Sequence, residues 1–217
     1  MQWIENIAYS ISKNSRTKKF QFFLDTIKPT EKESIVDVGV NDIEYSPTDN
    51  YLEGHFAYPH NITAVAHESL EHFKKTHPDV KAIVADGTKL PFEDNAFDIA
   101  YSNAVIEHVG KHLQQQLFVT ELVRVSKRGF ITTPNRHFPV EVHTRVPLLH
   151  LILSKKYFDI FLKLIGKQWA TKDYMNLLSY QDIHDLFSSV PNCQFHIHKH
   201  RFFGLTMTFS ISWIKTQ

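Results

Sequence analysis

Apolar positions along the chain follow two periods, and the two alternate. Near the start Phe20, Phe23, Leu24 and Ile27 recur at helical spacing until Lys28-Pro29 stops the run. One or two helices are predicted within the first forty residues. Short β-branched runs then take over. Ser34-Ile-Val-Asp-Val-Gly39 ends on an acid and a glycine, as a buried parallel strand does when it stops at a ligand loop. The same form returns at 61–66, 80–86, 96–102 and 128–133. Helical segments fill two of the gaps: 69–75, and 113–125, where Leu117, Phe118, Leu122 and Val125 make an apolar stripe. Strands alternating with helices predict a parallel sheet covered on both faces.

The last third of the chain has a different pattern. Residues 146–166 predict an amphipathic helix carrying Phe158, Phe161 and Leu162. Ser179 followed by Asp182 is a helix start, a serine cap with an acid three residues on. Residues 194–200 and 205–214 predict two strands joined across Gly204; in the second, Met207, Phe209, Ile211 and Trp213 alternate with Thr208, Ser210 and Ser212. Such a hairpin closes the edge of the sheet. The expectation is an α/β fold, doubly wound, with a mostly parallel seven-stranded sheet, helices on both faces and a C-terminal antiparallel hairpin. It forms a single domain over 1–217, with a helical extension at 1–30 and a helical and loop insertion at 136–178.

Composition narrows the class. With 217 residues, 42% of them hydrophobic and 22% charged, the chain is neither a disordered tail, a collagen-like fibre nor a disulfide-stapled miniprotein. Twenty-four Lys and Arg against 23 acids leave no broad field for gripping duplex nucleic acid, so no nucleic-acid partner is expected. Cys193 is the single cysteine and makes neither an intramolecular disulfide nor, alone, a zinc site. The start, MQWIENIAYS, has no secretory-signal pattern. The longest apolar stretch, 146–166, is broken by Lys155, Lys156, Asp159 and Lys163, so no transmembrane segment is read. A cytoplasmic protein is expected. Fourteen histidines invite a metal reading. Yet His108 with His112, and the alternating His196, His198 and His200, lack the acid or cysteine that completes a zinc motif. Both are read as solvated faces, with no metal.

The residues at the predicted strand ends converge. Asp37 and Gly39 end the first strand, Glu68 follows the second, Asp86-Gly87 end the third, and Ser102-Asn103-Ala104 end the fourth. In parallel sheets ligands sit beyond these ends. An adenosine ligand needs close backbone approach, a carboxylate for its ribose hydroxyls and a polar edge for its adenine; Gly39, Glu68 and Asp86 meet those needs in chain order.

The run Val84-Ala-Asp-Gly-Thr-Lys-Leu-Pro-Phe-Glu-Asp-Asn-Ala-Phe-Asp-Ile-Ala-Tyr-Ser-Asn-Ala-Val-Ile-Glu-His-Val109 resembles class I S-adenosylmethionine-dependent methyltransferases of the small-molecule, type 11 group. Ile35-Val-Asp-Val-Gly39 resembles their first motif, and Glu121-Leu-Val-Arg-Val-Ser126 their helix before the fifth strand. The resemblance spans about residues 18–135 and implies a Rossmann-like fold binding S-adenosylmethionine, with S-adenosylhomocysteine as product. It implies that Asp37 and Gly39 border the methionine part while Val40 supplies backbone. Glu68 would take the ribose hydroxyls, Asp86 and the Gly87 backbone the adenine, and Ser102, Asn103 and Ala104 would flank the sulfonium. The first motif departs from the family: Asp37-Val-Gly39-Val40-Asn41-Asp42 keeps one glycine, and Asn41 is the residue expected to take a left-handed backbone in its place. Glu68 stands two positions beyond the family's ribose acid, and residues 43–60 replace the usual first helix with a shorter, irregular one.

Methyl transfer is an in-line displacement in which positioning supplies much of the rate. Where a base is needed, His108, His137, His143 and Glu141 lie in the loops after the fourth and fifth strands. Residues 133–144, polar and turn-rich, form the expected acceptor wall, and 146–166 either packs on the domain, covers a lipid-like acceptor or contacts a membrane interface. The reading is methyl transfer to a small molecule or a glycan or lipid intermediate, at oxygen by the habit of the family. The alternative is a non-catalytic methyltransferase-like domain, either cofactor-binding or a scaffold. A nicotinamide dehydrogenase would need Gly-x-Gly-x-x-Gly after the first strand, and that motif is absent there.

Overall fold

The computed structural model describes residues 2–141, 144–171 and 175–216. The β-branched runs become β1 (Ile35–Val38), β2 (Ile62–Ala66), β3 (Lys81–Val84), β4 (Phe97–Asn103) and β5 (Ser126–Pro134), and the closing runs become β6 (Cys193–Phe202) and β7 (Leu205–Lys215). They form one seven-stranded sheet in the order β3-β2-β1-β4-β5-β7-β6. The first five pair in parallel, while β7 pairs antiparallel with both β5 and β6. The helices are α1 (Gln2–Ile27), α2 (Tyr51–His55), α3 (Glu71–Thr76), α4 (His112–Val125), α5 (Leu149–Ile152), α6 (Lys155–Leu164) and α7 (Tyr180–Ser188).

Alternation along β1 shows how the sheet acquires two cores. Ile35 joins Phe20, Phe23 and Ile27 of α1, Leu52 of α2 and Phe73 of α3; Val36 and Val38 join Phe118 and Leu122 of α4 with Ile183 and Phe187 of α7. Successive side chains on a strand face opposite ways, so one short run serves both layers. Phe23, Phe118 and Phe130 are fully buried; truncating any of them to alanine costs about 3–5 kcal/mol. Ser179 caps α7 in a reciprocal capping box with Asp182, as its spacing predicts. Residues 43–60 hold only the five-residue α2 and a 3-10 turn at Pro59–Asn61, short and irregular as expected.

Three expectations are corrected. The single helix over 146–166 is two, because Leu153 and Ser154 adopt extended backbone between α5 and α6. Serine competes for backbone hydrogen bonds and favours such helix starts. Leu117 lies 44% exposed; the buried stripe of α4 runs through Phe118, Val119, Leu122 and Val123 instead. The histidines of β6 are not all solvated, because α1 returns across them. His198 stacks on Phe22 with ring centroids 4.2 Å apart, and His200 Nε2 lies 2.6 Å from Ser210 Oγ. Burial there, with His198 and Lys19 nearby, pushes His200 down to about 4. No helix among the described residues is long and apolar enough to cross a membrane.

Candidate functional site

Strand order reverses between β1 and β4: the chain leaves β1 toward β2 on one side and β4 toward β5 on the other. A crevice opens beyond their carboxyl ends. Gly39 enters it with φ +105°, and its N–H donates to the Val65 carbonyl at 2.8 Å. A Cβ here would fall 2.3 Å from Val105 Cγ2, so both the backbone angle and the space require glycine. The rest of the loop is held by side chains. Asn41 N–H donates to Asn50 Oδ1 at 2.9 Å, and Asn50 Nδ2 donates to the Asn41 carbonyl at 2.8 Å. It is Asn50, with φ 43°, rather than Asn41 that takes the left-handed backbone. Asp42 then caps α3 from outside, accepting from the N–H groups of His72 and Phe73 at 2.8 and 3.0 Å. The Phe73 N–H, foremost, holds its carboxyl below the usual range.

The larger cavity, about 570 Å³, is lined by Asp37, Gly39, Val40, Glu68, Asn103, Ala104 and His108 among the expected residues. Arg16, Asn50, Tyr51, His67 and Tyr101 line it too. Asp37 and Glu53 are 6% and 5% exposed. Burial, then the neighbouring Glu53 charge, raises the Asp37 carboxyl well above its usual range, opposed by Arg16. Burial also raises Glu53. Two carboxyls so placed do not both ionise, and Arg16 offsets what charge remains. Ala104 holds a left-handed φ of 57° at the end of β4, a strain of about 1–3 kcal/mol of the kind found at ligand sites. Asn103 Oδ1 accepts from Thr132 Oγ1 at 2.8 Å, while its buried Nδ2 has no partner among the described residues.

A second cavity of about 410 Å³ adjoins the first, sharing Gly39, Ala66, His67, Val105 and His108 with it. Asp86 and Gly87 line it. Asp86 Oδ1 accepts from the N–H and hydroxyl of Thr88, both at 2.8 Å, which lowers its carboxyl below the usual range. A Cβ on Gly87 would meet Phe118 at 2.7 Å. The loop is stapled to α4. Arg124 donates to the Phe92 and Leu90 carbonyls and to both Glu121 oxygens, while Glu121 Oε2 accepts from the Leu90 N–H at 2.7 Å. The spacing of Glu121 and Arg124 thus serves to hold the Leu90-Pro-Phe92 turn.

Other predicted residues fall elsewhere. Ser102 lines none of these cavities; its hydroxyl donates to the Val38 carbonyl at 2.6 Å and ties β4 to β1. His137 and Glu141 line a third cavity of about 540 Å³, between the start of α4 and the insertion, which shares no lining residue with the other two. His143 lies outside the described residues. Among the described residues no cluster of His, Cys, Asp and Glu is able to hold a metal ion. Sequence reasoning missed Arg16, Asn50, Glu53 and Tyr101. For the first three no motif exists, because they belong to α1 and to the irregular segment before β2.

A family model described as a methyltransferase domain matches residues 49–131. The sheet order and C-terminal hairpin agree with solved methyltransferase folds. A methyltransferase from Methanosarcina mazei superposes with TM-score 0.55 at 15% identity, covering 87% of this chain and 95% of that one. Residues 49–131 thus match a methyltransferase domain, and the sheet around them has the fold of solved S-adenosylmethionine-dependent methyltransferases. A Thermotoga maritima methyltransferase, described as a possible histamine N-methyltransferase, gives 0.58 at 16% identity, with 97% and 92% covered. Phosphoethanolamine N-methyltransferase 2 of Haemonchus contortus, solved with S-adenosylmethionine, gives 0.61 at 12%, covering 94% of this chain and 53% of its own. No curated protein matches the chain.

The residues at these strand ends fit S-adenosylmethionine, the cofactor of the matched domain family. Gly39 and Gly87 leave bare backbone where a Cβ would collide, and the two joined cavities suit a ligand with a nucleoside at one end and an amino acid at the other.

Proposed function

We propose that this methyltransferase methylates a small acceptor, a glycan or lipid intermediate, at oxygen and by in-line displacement. One observation carries the reading: the larger cavity runs past the cofactor residues at Gly39 and Asn103 to Arg16, Tyr51 and Tyr101, leaving room for a second molecule. Asp37, Gly39 and Val40 would hold the methionine part, Glu68 the ribose, Asp86 and Gly87 the adenine, and Asn103 and Ala104 the sulfonium end. Bound there, the cofactor supplies an electrophilic methyl on a sulfur that leaves as a neutral thioether.

His108 lines both joined cavities and so stands where an acceptor hydroxyl would give up its proton as the new C–O bond forms. His137, in the separate cavity, is kept out of that step. The buried carboxyl pair favours a positively charged amino group beside Asp37, and Arg16 compensates the carboxyl charge when that group departs.

Calorimetric titration of the purified chain with S-adenosylmethionine and S-adenosylhomocysteine tests the site. Micromolar binding of both is expected, with a loss of at least tenfold in Asp86→Ala and in Glu68→Ala. If folded protein binds neither, the scaffold reading takes over; if it binds and neither substitution matters, the residue assignment is wrong. An acceptor screen read by S-adenosylhomocysteine release then tests the chemistry.

A further inference from the structure

The apolar side of α6 extends beyond what its core covers. Phe158 and Leu162 pack into a small core with Val146 and Ala170. Away from that core, Tyr157, Ile160 and Leu164, spaced as one helical stripe, are 60%, 47% and 80% exposed. The turn before it and α5 extend the patch through Leu148, Leu151 and Ile152, the last 73% exposed. A helix facing water ordinarily turns polar residues outward, and an apolar patch of this extent marks a contact surface.

Charge says what the contact is. Residues 145–167 contain five cations, Arg145, Lys155, Lys156, Lys163 and Lys167, and one acid, Asp159. Asp159 is paired with Lys155 at 3.5 Å. The segment is therefore +4 while the whole chain is +1, which leaves the remainder at −3. Lys156 and Lys163 flank the exposed stripe, on stems long enough to hold their ammonium groups level with headgroups while Tyr157, Ile160 and Leu164 enter the acyl boundary. The opposite charge on the remainder would turn this face toward a negative surface. We propose that the α5–α6 face docks this protein in the plane of an anionic lipid surface.

The placement suits the chemistry. The patch follows the carboxyl end of β5, and the segment returns to donate the Asn176 N–H to the Glu107 carbonyl at 2.7 Å, beside the turn that carries His108. Docking would bring the ligand end of the sheet toward the lipid.

Vesicle flotation of the full chain tests this, with phosphatidylcholine alone and mixed with phosphatidylglycerol. Flotation with the anionic vesicles alone, weakened by salt, is expected. Lys156→Gln with Lys163→Gln should weaken partition about fivefold for each cation removed. Ile160→Asp with Leu164→Asp should weaken it about tenfold or more for each residue. Circular dichroism and S-adenosylhomocysteine titration verify folding in every variant and report on the cofactor site separately. Folded protein that stays unbound to anionic vesicles overturns the proposal. So does a concentration-dependent dimer that the same apolar substitutions abolish, since a second copy would then be what covers the face.

Discussion

Gly39 shows how much one residue decides at this site. Its φ of +105° and the 2.3 Å approach of Val105 leave no room for a methyl group. Gly39→Ala is expected to destabilise the fold by about 2 kcal/mol and to weaken S-adenosylhomocysteine binding, checked by denaturant melts and calorimetry on one preparation. His200 offers a pH test. Its unfolded value is near 6.5 and its folded value about 4. Between those values the unfolded chain binds a proton that the folded chain refuses, so stability falls as pH drops from 7 toward 4. Differential scanning calorimetry should show a smaller drop in melting temperature between pH 7 and 5 in His200→Gln than in the parent. Equal slopes would mean that other groups dominate the acid limb. The second effect is not visible in sequence: His200 sits in an alternating pattern that reads as solvated, and only the passage of α1 over β6 and β7 buries it.

Among the elements, the C-terminal hairpin carries a local conflict. Its two-residue turn, Phe203-Gly204, has positive φ at both positions, 47° and 81°. Two-residue hairpins need that geometry to match strand twist, and glycine or asparagine adopts it far more readily than phenylalanine. Phe203 is 92% exposed, so its ring is not what holds the turn. Phe203→Asn is expected to stabilise the protein by about 1 kcal/mol, raising the melting temperature by about 2–4 °C. The strands themselves were legible from β-branched runs and alternation, because burial on one or both faces imposes those patterns directly. Helix limits were less so. Residues 146–166 carry a near-continuous helical period, and only local backbone competition at Ser154 and packing around Phe158 and Leu162 split it.

For the molecule as a whole, ligand linkage gives a global check on the site. A cofactor product that binds only the folded state stabilises it by about 2.7 kcal/mol at a hundredfold excess over Kd. S-adenosylhomocysteine should then raise the melting temperature by several degrees in the parent and much less in Asp86→Ala. By itself the sequence determined the class of fold, the parallel order with its closing hairpin, and the residues at the strand ends, because each is written in local periodicity or in a contiguous motif from Val84 to Val109. Tertiary structure decided the rest. It set Asn50 to clamp a loop that has lost its second glycine, buried Glu53 against Asp37, and brought Arg16 from α1 to the cavity wall. It also placed His108 and His137 in separate cavities. These are contacts between segments far apart in the chain, set by how helices pack on the sheet, and no spacing within one segment records them.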